Sequence, residues 1–350
     1  MPKRLRQVLA DRSGVALLLA LVTISFLVAV TVRLTGSVNL QMQGSVNQRD
    51  AVSLDGMLLS GLNLARGSLL VDQRQNRSDS RQDTWGGLEQ AGSGLFAGNR
   101  LQVRVTDLGG RLQVNALVVA QDERKAMRRQ DPAMGSRQIE EFEQRQREVW
   151  LRFLTSGRFA VRDEDEAVAL VDALADWLDA DDEERDHGAE SGYYAGLDRP
   201  YACRNGPVPY PEELLLVKGF SKKLLYGDGK RQGIIGYLTV TGRDGAININ
   251  TAPVPVLQAL ADNLTEEDVQ RLVEFREDRD NRDLLARSSW YRGVEGFPGD
   301  VVLDQKLITT SSSWFRIRVT ATLGRLERTG EGVLHRQDNE EQTLVYWSVR

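Results

Sequence analysis

The chain has 350 residues, of which 41% are hydrophobic and 27% charged, a composition that excludes an intrinsically disordered protein. Its single cysteine, Cys203, excludes an internal disulfide framework and a CxxC zinc or redox site, and two histidines leave little for imidazole catalysis. The formal net charge of −5 disfavours a protein that coats nucleic acid. The length corresponds to roughly two or three folded units.

An uncharged apolar segment covers residues 15–32. Eighteen helical residues are ~27 Å long, enough to cross the hydrocarbon core of a membrane. The preceding residues carry a net charge of +3, from Lys3, Arg4, Arg6 and Arg12 against Asp11. The positive-inside rule therefore predicts a single-pass protein with a cytoplasmic amino terminus. An ordinary amino-terminal anchor is the main alternative; a secretory signal peptide fits less well, because no small-residue cleavage site follows the apolar segment.

The junction between the basic residues and the apolar segment is Arg12-Ser13-Gly14-Val15. A short basic leader that ends in Gly directly before an apolar helix resembles the prepilin-type signal. This resemblance implies that residues 1–14 are removed by a prepilin peptidase between Gly14 and Val15, and that the new amino terminus is methylated. Leu19 stands where most of these proteins have Glu, a departure typical of one minor pseudopilin family.

Apolar residues at helical spacing continue beyond the membrane segment and predict one long stem helix over residues 15–70. They are Val38, Met42, Val46, Val52, Leu58, Leu62, Ala65 and Leu69. No proline occurs between Pro2 and Pro132, although several glycines weaken the helix by up to ~1 kcal/mol each. The alternative is an anchor followed by separate, shorter helices.

The remaining chain alternates between strand-like and helical patterns. Residues 71–121 read as a linker and first strands, with 101–106 and 111–119 predicted as a hairpin. A mostly helical block follows over 122–300, and residues 301–350 hold the closing strands. Three of these form a predicted meander: 314–323, 325–336 and 343–349. This order predicts an α+β fold with a large helical insertion.

The insertion contains a short internal repeat. Residues 107–115 resemble 243–250, which predicts two related subdomains over about 122–230 and 243–300. The second continues with a pattern similar to helix-hairpin-helix units, in which a glycine-rich hairpin approaches DNA phosphates. Here the hairpin, 261–268, has no glycine and four carboxylates that would repel phosphate. The sequence therefore disfavours DNA binding.

Residues 176–190 hold eight carboxylates in fifteen positions. Asp179, Asp181, Glu183 and Glu190 match the spacing of EF-hand ligands, but Glu184 occupies the position that requires glycine. A non-EF calcium site, a solvated acidic loop and a general acid-base pair stay open, and only His187 is at hand for zinc. No nucleophile elbow, HExxH motif or P-loop supports an enzyme.

Four segments complete a resemblance, in this order: DWLDADDEERDHGAESGYY (176–194), YPEELLLVKGF (210–220), ININTAP (247–253) and SSSWFRIRV (311–319). The chain is similar to the type II secretion minor pseudopilin K (GspK-like) family over nearly its whole length. The resemblance implies a pseudopilin fold, with a long amino-terminal helix packed on an antiparallel sheet and SAM-like or helix-hairpin-helix-like subdomains in the insertion. It also implies calcium bound in the helical part.

From their chemistry we nominate Asp179, Asp181 and Glu190 as calcium ligands, followed by Asp176, Glu183 and Asp186. The partners that the resemblance implies are the I- and J-type minor pseudopilins, the major pseudopilin, the prepilin peptidase and the inner-membrane assembly platform, with no nucleic acid.

The sequence thus predicts a non-enzymatic minor pseudopilin, anchored in the inner membrane with its globular part in the periplasm. It would cap or initiate the filament that exports folded proteins. The alternatives are a membrane-anchored helix-hairpin-helix nucleic-acid-binding protein and a periplasmic hydrolase. Charge favours a local cation site: residues 161–190 hold thirteen acids against Arg162 and Arg185, while the rest of the chain after Gly14 has a small net positive charge.

Overall fold

The computed structural model describes residues 12–91 and 100–350. The α-helices are α1 (Arg12–Gln75), α2 (Leu88–Ala91), α3 (Gln121–Gln130), α4 (Pro132–Leu154), α5 (Glu164–Leu178), α6 (Ser191–Ala195), α7 (Lys222–Tyr226), α8 (Val254–Gln258) and α9 (Glu266–Glu277). The strands are β1 (Arg100–Asp107), β2 (Leu112–Gln113), β3 (Leu238–Thr239), β4 (Ile247–Asn248), β5 (Ile308–Thr309), β6 (Trp314–Leu323), β7 (Leu326–Arg336) and β8 (Gln342–Val349). Within these two described ranges, five 3-10 helices connect them: Val114–Ala116, Pro211–Leu216, Ile235–Tyr237, Arg279–Ala286 and Trp290–Gly293.

The stem helix α1 is continuous over 64 residues and ends at Gln75, five residues beyond the predicted end. At about 1.5 Å per residue it is ~96 Å long. Thr23, Thr31 and Thr35 donate hydrogen bonds to backbone carbonyls one turn earlier, so these three hydroxyls are satisfied inside the helix. The leader residues before Arg12 lie outside the described residues.

A four-stranded antiparallel sheet, in the order β1-β6-β7-β8, packs against the carboxyl-terminal third of α1. Leu58, Leu62 and Leu69 of α1 are buried against the inward residues of β1 and β6, which alternate with polar residues as a half-buried strand requires. This region is the predicted α+β pseudopilin architecture. Of the stem residues predicted to form one face, Val38, Met42, Val46 and Val52 are exposed, because no sheet lies beside that part of the helix.

One glycine sets how closely the stem approaches the sheet. A Cβ at Gly61 would lie 2.5 Å from Cγ1 of Val319 and 3.1 Å from Cγ2 of Val103. Since contacts below 3 Å require a neighbour to move, the position favours glycine within a helix that otherwise penalises it.

The helical insertion leaves the sheet after β1 and returns to it before β6. Two short parallel strand pairs lie within it: Leu112 is opposite Leu238, and Ile247 is opposite Ile308. The helices between them share one hydrophobic core, which includes Trp150, Phe153 and Trp177. The two subdomains with the boundaries predicted from the sequence stay a prediction.

The predicted hairpin between residues 101–106 and 111–119 is wrong. The strand β1 pairs with β6, whereas β2 pairs in parallel with β3 of the insertion. Residues 112–119 are all buried, so this near-continuous apolar segment is covered on every side and does not alternate like an edge strand. The sequence DLGG at 107–110 predicts a turn, and the chain does turn there, but it leaves the sheet instead of pairing back onto β1.

A buried polar junction joins the insertion to the sheet at Asp107. Its carboxylate accepts hydrogen bonds from the hydroxyls of Thr251 and Ser312, from Nδ2 of Asn248 and from the backbone N–H of Gly109. Burial raises the pKa of Asp107. The motif that resembled a DNA-binding unit therefore supplies structural contacts, since Asn248 and Thr251 are both buried in this junction.

Candidate metal centre

The centre is built on the carboxyl-terminal half of α5. This helix begins at an N-cap, Asp163, whose side chain accepts from the backbone N–H of Glu166, and three acids in its first turn complement the helix dipole. Near its end, Asp172, Asp176 and Asp179 follow at spacings of four and three, so they occupy one face. All three are buried.

Asp176 fixes the loop that follows the helix. Its Oδ2 accepts from the backbone N–H of Ala189 at 2.8 Å and of Arg185 at 3.3 Å. Gly188 lies so close that an added Cβ would be 1.8 Å from the same oxygen, which excludes any other residue there without a shift of the loop. Lys218 holds the loop from the other side through a 2.6 Å hydrogen bond to the carbonyl of Gly188. The loop is thereby folded back onto α5.

This folding brings Glu190 to the aspartates. One carboxylate oxygen from each of Asp176, Asp179 and Glu190 lies within 4.8 Å of the others. Glu190 is only 4% exposed and Asp176 is fully buried. Three buried carboxylates at this separation repel one another unless a cation lies between them.

Part of the required positive charge comes from Arg185. Its Nη1 donates to Oδ1 of Asp176 at 2.5 Å and to Oδ2 of Asp179 at 2.6 Å. Among the described residues, however, Oδ1 of Asp179 and both carboxylate oxygens of Glu190 are buried and accept no hydrogen bond. Buried carboxylate oxygens without donors are costly, so the centre has unused capacity for a cation.

The pKa values of these carboxyl groups reflect their burial and their shortage of hydrogen-bond donors. Burial, with smaller contributions from Asp179 and Asp176, raises the pKa of Glu190 to about 7. Burial also raises the pKa of Asp179 to about 6, although hydrogen bonding to Arg185 opposes the rise. Near neutral pH and without a further cation, Glu190 is therefore about half protonated, whereas Asp179 is still mostly ionised.

The six nominated ligands divide into two groups. Asp176, Asp179 and Glu190 are brought together, whereas Asp181, Glu183 and Asp186 are exposed on the loop. Asp181 accepts from the backbone N–H of Glu183 at 3.1 Å, a local turn contact. Which of these residues bind calcium stays a prediction.

Sequence reasoning missed the roles of two residues beside the centre. The sequence marks Arg185 only as a positive charge among the acids, yet it contacts two of the clustered aspartates. The acid-rich segment 176–190 does not include Asp172, but this carboxylate accepts a hydrogen bond from Nη1 of Arg147 and lies 3.3 Å from Nδ1 of His187. The i, i+4, i+7 spacing of the three aspartates is the signal that could have identified Asp172.

The stem provides the second functional feature. The helix from Gly14 contains an 18-residue window with a mean hydropathy of 2.8, none of which is buried, so it is long and apolar enough to cross a membrane. Gly14 and Val15 lie within continuous helix, and both are exposed. Cleavage between them stays a prediction.

A long amino-terminal helix that is apolar in its first part and packs its carboxyl-terminal third on an antiparallel sheet is the architecture of the pseudopilin class. Two family models, both described as type II secretion system protein K, match residues 110–226 and 247–297. The type II secretion system protein K of Pseudomonas aeruginosa is 29% identical over 71% of this chain and 68% of its own length. That of Aeromonas hydrophila is 32% identical over 50% of this chain and 52% of its own.

A chain in the crystal structure of the GspK-GspI-GspJ complex from enterotoxigenic Escherichia coli has the same fold, with a TM-score of 0.61. It is 15% identical, and the match covers 87% of this chain and 99% of that one. The chain belongs to the type II secretion system protein K family, the minor pseudopilins of the secretion pseudopilus. This family is a structural secretion component, and with the apolar stem it indicates a membrane-anchored periplasmic protein.

Proposed function

We propose that this chain occupies the tip of the pseudopilus, where it helps to initiate and cap the filament together with I- and J-type minor pseudopilins. The observation that supports this most directly is the division of α1. Its apolar first part is exposed along its whole circumference, whereas Leu54 to Leu69 pack on the chain's own sheet. Such a stem has surface for neighbouring stems, while the bulky insertion leaves little room for a subunit stacked above it.

Co-purification of the full chain, in detergent, with candidate I- and J-type pseudopilins tests this function. We expect a stable complex that contains one copy of each partner. Substitution of Leu34, Leu40 and Met42 by Ser is expected to weaken this complex. These stem residues are exposed in the isolated chain and lie outside the part of α1 that packs on the sheet, so they are free to contact partner stems. Failure of the unmodified chain to retain either partner would contradict the proposal.

We also propose an orientation for the chain, which rests on the positive charge that precedes the apolar segment. The proposed topology places the basic leader in the cytoplasm and the sheet and insertion in the periplasm. Processing by the prepilin peptidase then gives a mature chain that begins at Val15 with a methylated amino group. Mass spectrometry of the purified protein checks this, and detection of an intact Met1 would contradict it.

The carboxylate centre is proposed to bind calcium through Asp176, Asp179 and Glu190. The donor set fits, because calcium prefers carboxylate oxygens and the centre contains three buried oxygens without donors. Zinc prefers nitrogen and sulfur ligands and fits less well. Calcium would supply the positive charge that joins the end of α5 to the loop carrying Glu190, so its expected effect is on stability.

Thermal unfolding in excess calcium and in excess chelator tests this site. We expect calcium to raise the melting temperature of the unmodified chain, because binding to the folded state alone stabilises it. Glu190→Gln removes a buried carboxylate and is expected to abolish most of this increase. The matched control is Glu184→Gln, on the same loop but exposed, which is expected to keep it. An unmodified chain with the same melting temperature in both conditions would refute the site.

A further inference from the structure

The side chain of Arg185 holds a position that a metal ion would require. Its Nη1 is 2.5 Å from a carboxylate oxygen of Asp176 and 2.6 Å from one of Asp179. These distances lie at the upper end of the 2.3–2.6 Å range of calcium–oxygen bonds. One guanidinium nitrogen thus lies between two oxygens of the same cluster to which calcium is proposed to bind.

Calcium and this nitrogen cannot both use the two oxygens. Calcium requires six to eight oxygen ligands, and the three carboxylates of the cluster have six oxygens between them, so calcium needs the two that Arg185 contacts. A calcium ion bound only by Glu190 and by Oδ1 of Asp179 would lie next to the positively charged guanidinium of Arg185. In a buried site this repulsion between two cations is unfavourable. The arrangement therefore favours one cation at a time.

We propose that Arg185 is an internal counter-cation that calcium displaces from Asp176 and Asp179. This inference rests on the calcium site proposed above. Without calcium, the guanidinium partly neutralises the cluster and keeps the loop on α5. When calcium binds, the side chain moves into solvent. Its side chain is already 31% exposed, and the neighbouring acids Asp182, Glu183, Glu184 and Asp186 are exposed around it.

The exchange has a distinct consequence for the loop. Arg185 is its only arginine or lysine between residues 179 and 190. Its release would add a mobile guanidinium to a loop surface that otherwise displays several exposed acids. The loop itself would stay in place, because the backbone N–H groups of Arg185 and Ala189 donate hydrogen bonds to Asp176. Calcium would therefore change the exposed charge of this surface without unfolding it.

Chemical labelling of Arg185 in the full chain, in detergent, tests the exchange directly. Phenylglyoxal modifies accessible guanidinium groups, and mass spectrometry quantifies the modification at each arginine. We expect labelling of Arg185 to increase severalfold on addition of calcium. Labelling of Arg147, which is held by Asp172 one turn earlier on the same helix face, is expected to stay unchanged. Most binding events protect nearby residues, so an increase is specific to displacement.

Calcium titration calorimetry of two variants gives an independent measurement. Arg185→Gln removes the competing cation and is expected to bind calcium at least tenfold more tightly than the unmodified chain. Arg147→Gln changes the net charge equally, without touching Asp176 or Asp179, and is expected to change the affinity less than threefold. Arg185→Lys keeps the charge and is expected to lie between them. If Arg185→Gln folds only when calcium is present, the exchange is supported as well, because calcium then replaces the missing cation.

Unchanged or decreased labelling of Arg185 in calcium would overturn the exchange, even if Arg185→Gln bound calcium more tightly. Equal affinities of Arg185→Gln and Arg147→Gln would also overturn it, since they would show a general effect of charge. If the unmodified chain binds no calcium, the metal site itself is refuted and the exchange with it. These outcomes separate failure of the exchange from failure of the site.

Discussion

The stem–sheet region, formed by α1 and the four-stranded sheet, differs from the helical insertion in how its core is built. Its core contains long, regular elements whose buried residues follow helix and strand periods, such as Leu58, Leu62 and Val319. The insertion packs short helices and irregular segments around Trp150 and Trp177. Regular elements satisfy their own backbone groups, whereas irregular segments need side-chain partners.

The two regions also differ in how their buried carboxylates are neutralised. In the insertion, Asp176, Asp179 and Glu190 are buried together at one site, where positive charge from Arg185 does not balance all three carboxylates. In the stem–sheet region, Arg336 of β7 is buried with its guanidinium on Asp79, at 2.6 Å, and it also faces Asp72. The stem–sheet region therefore pairs two of its buried carboxylates, Asp72 and Asp79, with an arginine of its own sheet, whereas the cluster in the insertion has more carboxylate oxygens than donors.

The largest expected effect is at the junction between the two regions. Asp107→Ala removes the acceptor for four hydrogen-bond donors, and each buried donor left unsatisfied costs about 1–3 kcal/mol. We expect the free energy of unfolding to fall by about 4 kcal/mol and the two cores to unfold in separate steps. Urea unfolding followed by tryptophan fluorescence measures both.

Asp107→Asn is the control for this junction. It keeps the shape of the side chain and one acceptor oxygen, so we expect a smaller loss and a single transition. An Asp107→Ala chain that unfolds in one step, within about 1 kcal/mol of the unmodified protein, would show that the regions are joined by other contacts.

The next effect concerns pH and is confined to the insertion. Glu190 has a pKa of about 7 in the folded chain and an ordinary value of 4.5. Without calcium the folded state holds this proton more tightly, so its contribution to stability falls as the pH rises from about 4.5 to about 7. Calcium binds the deprotonated form, so its affinity rises over the same range.

The proton on Glu190 alone is expected to make calcium affinity about 25-fold higher at pH 7.5 than at pH 5.5, and protonation of Asp179, whose pKa is about 6, is expected to enlarge this difference. Calorimetry at the two pH values measures it. Glu184→Gln is expected to retain the dependence, whereas Glu190→Gln is expected to lose most of it. Equal affinity at both pH values in the unmodified chain would show that Glu190 is not a ligand.

The smallest expected effects on stability come from substitution of two glycines of the stem, Gly61 and Gly67. Gly61→Ala places a Cβ against Val319 of the sheet, an overpacking that costs about 1–3 kcal/mol and is partly offset by a gain of up to ~1 kcal/mol in helix propensity. We expect a net loss of about 1 kcal/mol. Gly67→Ala meets no atom within 4 Å and is expected to stabilise the chain by up to ~1 kcal/mol.

Thermal unfolding of both glycine variants in detergent checks this pair. A gain in stability for Gly61→Ala as large as that for Gly67→Ala would show that the sheet yields easily at the contact. The regular region would then be less tightly packed than the close approach of α1 indicates.

The regular region was largely predictable. Alternation in 314–323, 325–336 and 343–349 predicts the meander to within one residue of the observed strands, and the absence of proline predicts one stem helix. The error at 111–119 arose because a fully buried segment and a hairpin strand both look apolar over a short window. The position of β1 beside β6 depended on a partner about two hundred residues away, which no local pattern specifies.

The carboxylate centre was only partly predictable. The acid-rich segment was evident, and three of the six nominated residues lie together. Which acids point inward depends on contacts from outside the segment, such as Lys218 on the carbonyl of Gly188. Asp181 and Glu183 have the same chemistry as Asp179, but they lie where the loop faces solvent.

The sequence by itself determined the membrane segment, the stem, the meander and the family of this protein, because apolar periodicity and short motifs are local properties of the chain. Only the tertiary structure decided that Asp107 joins the insertion to the sheet and that Glu190 meets Asp176 and Asp179 around Arg185. Burial and hydrogen-bond partners of a carboxylate come from distant parts of the chain, and they set its charge and its capacity for a cation.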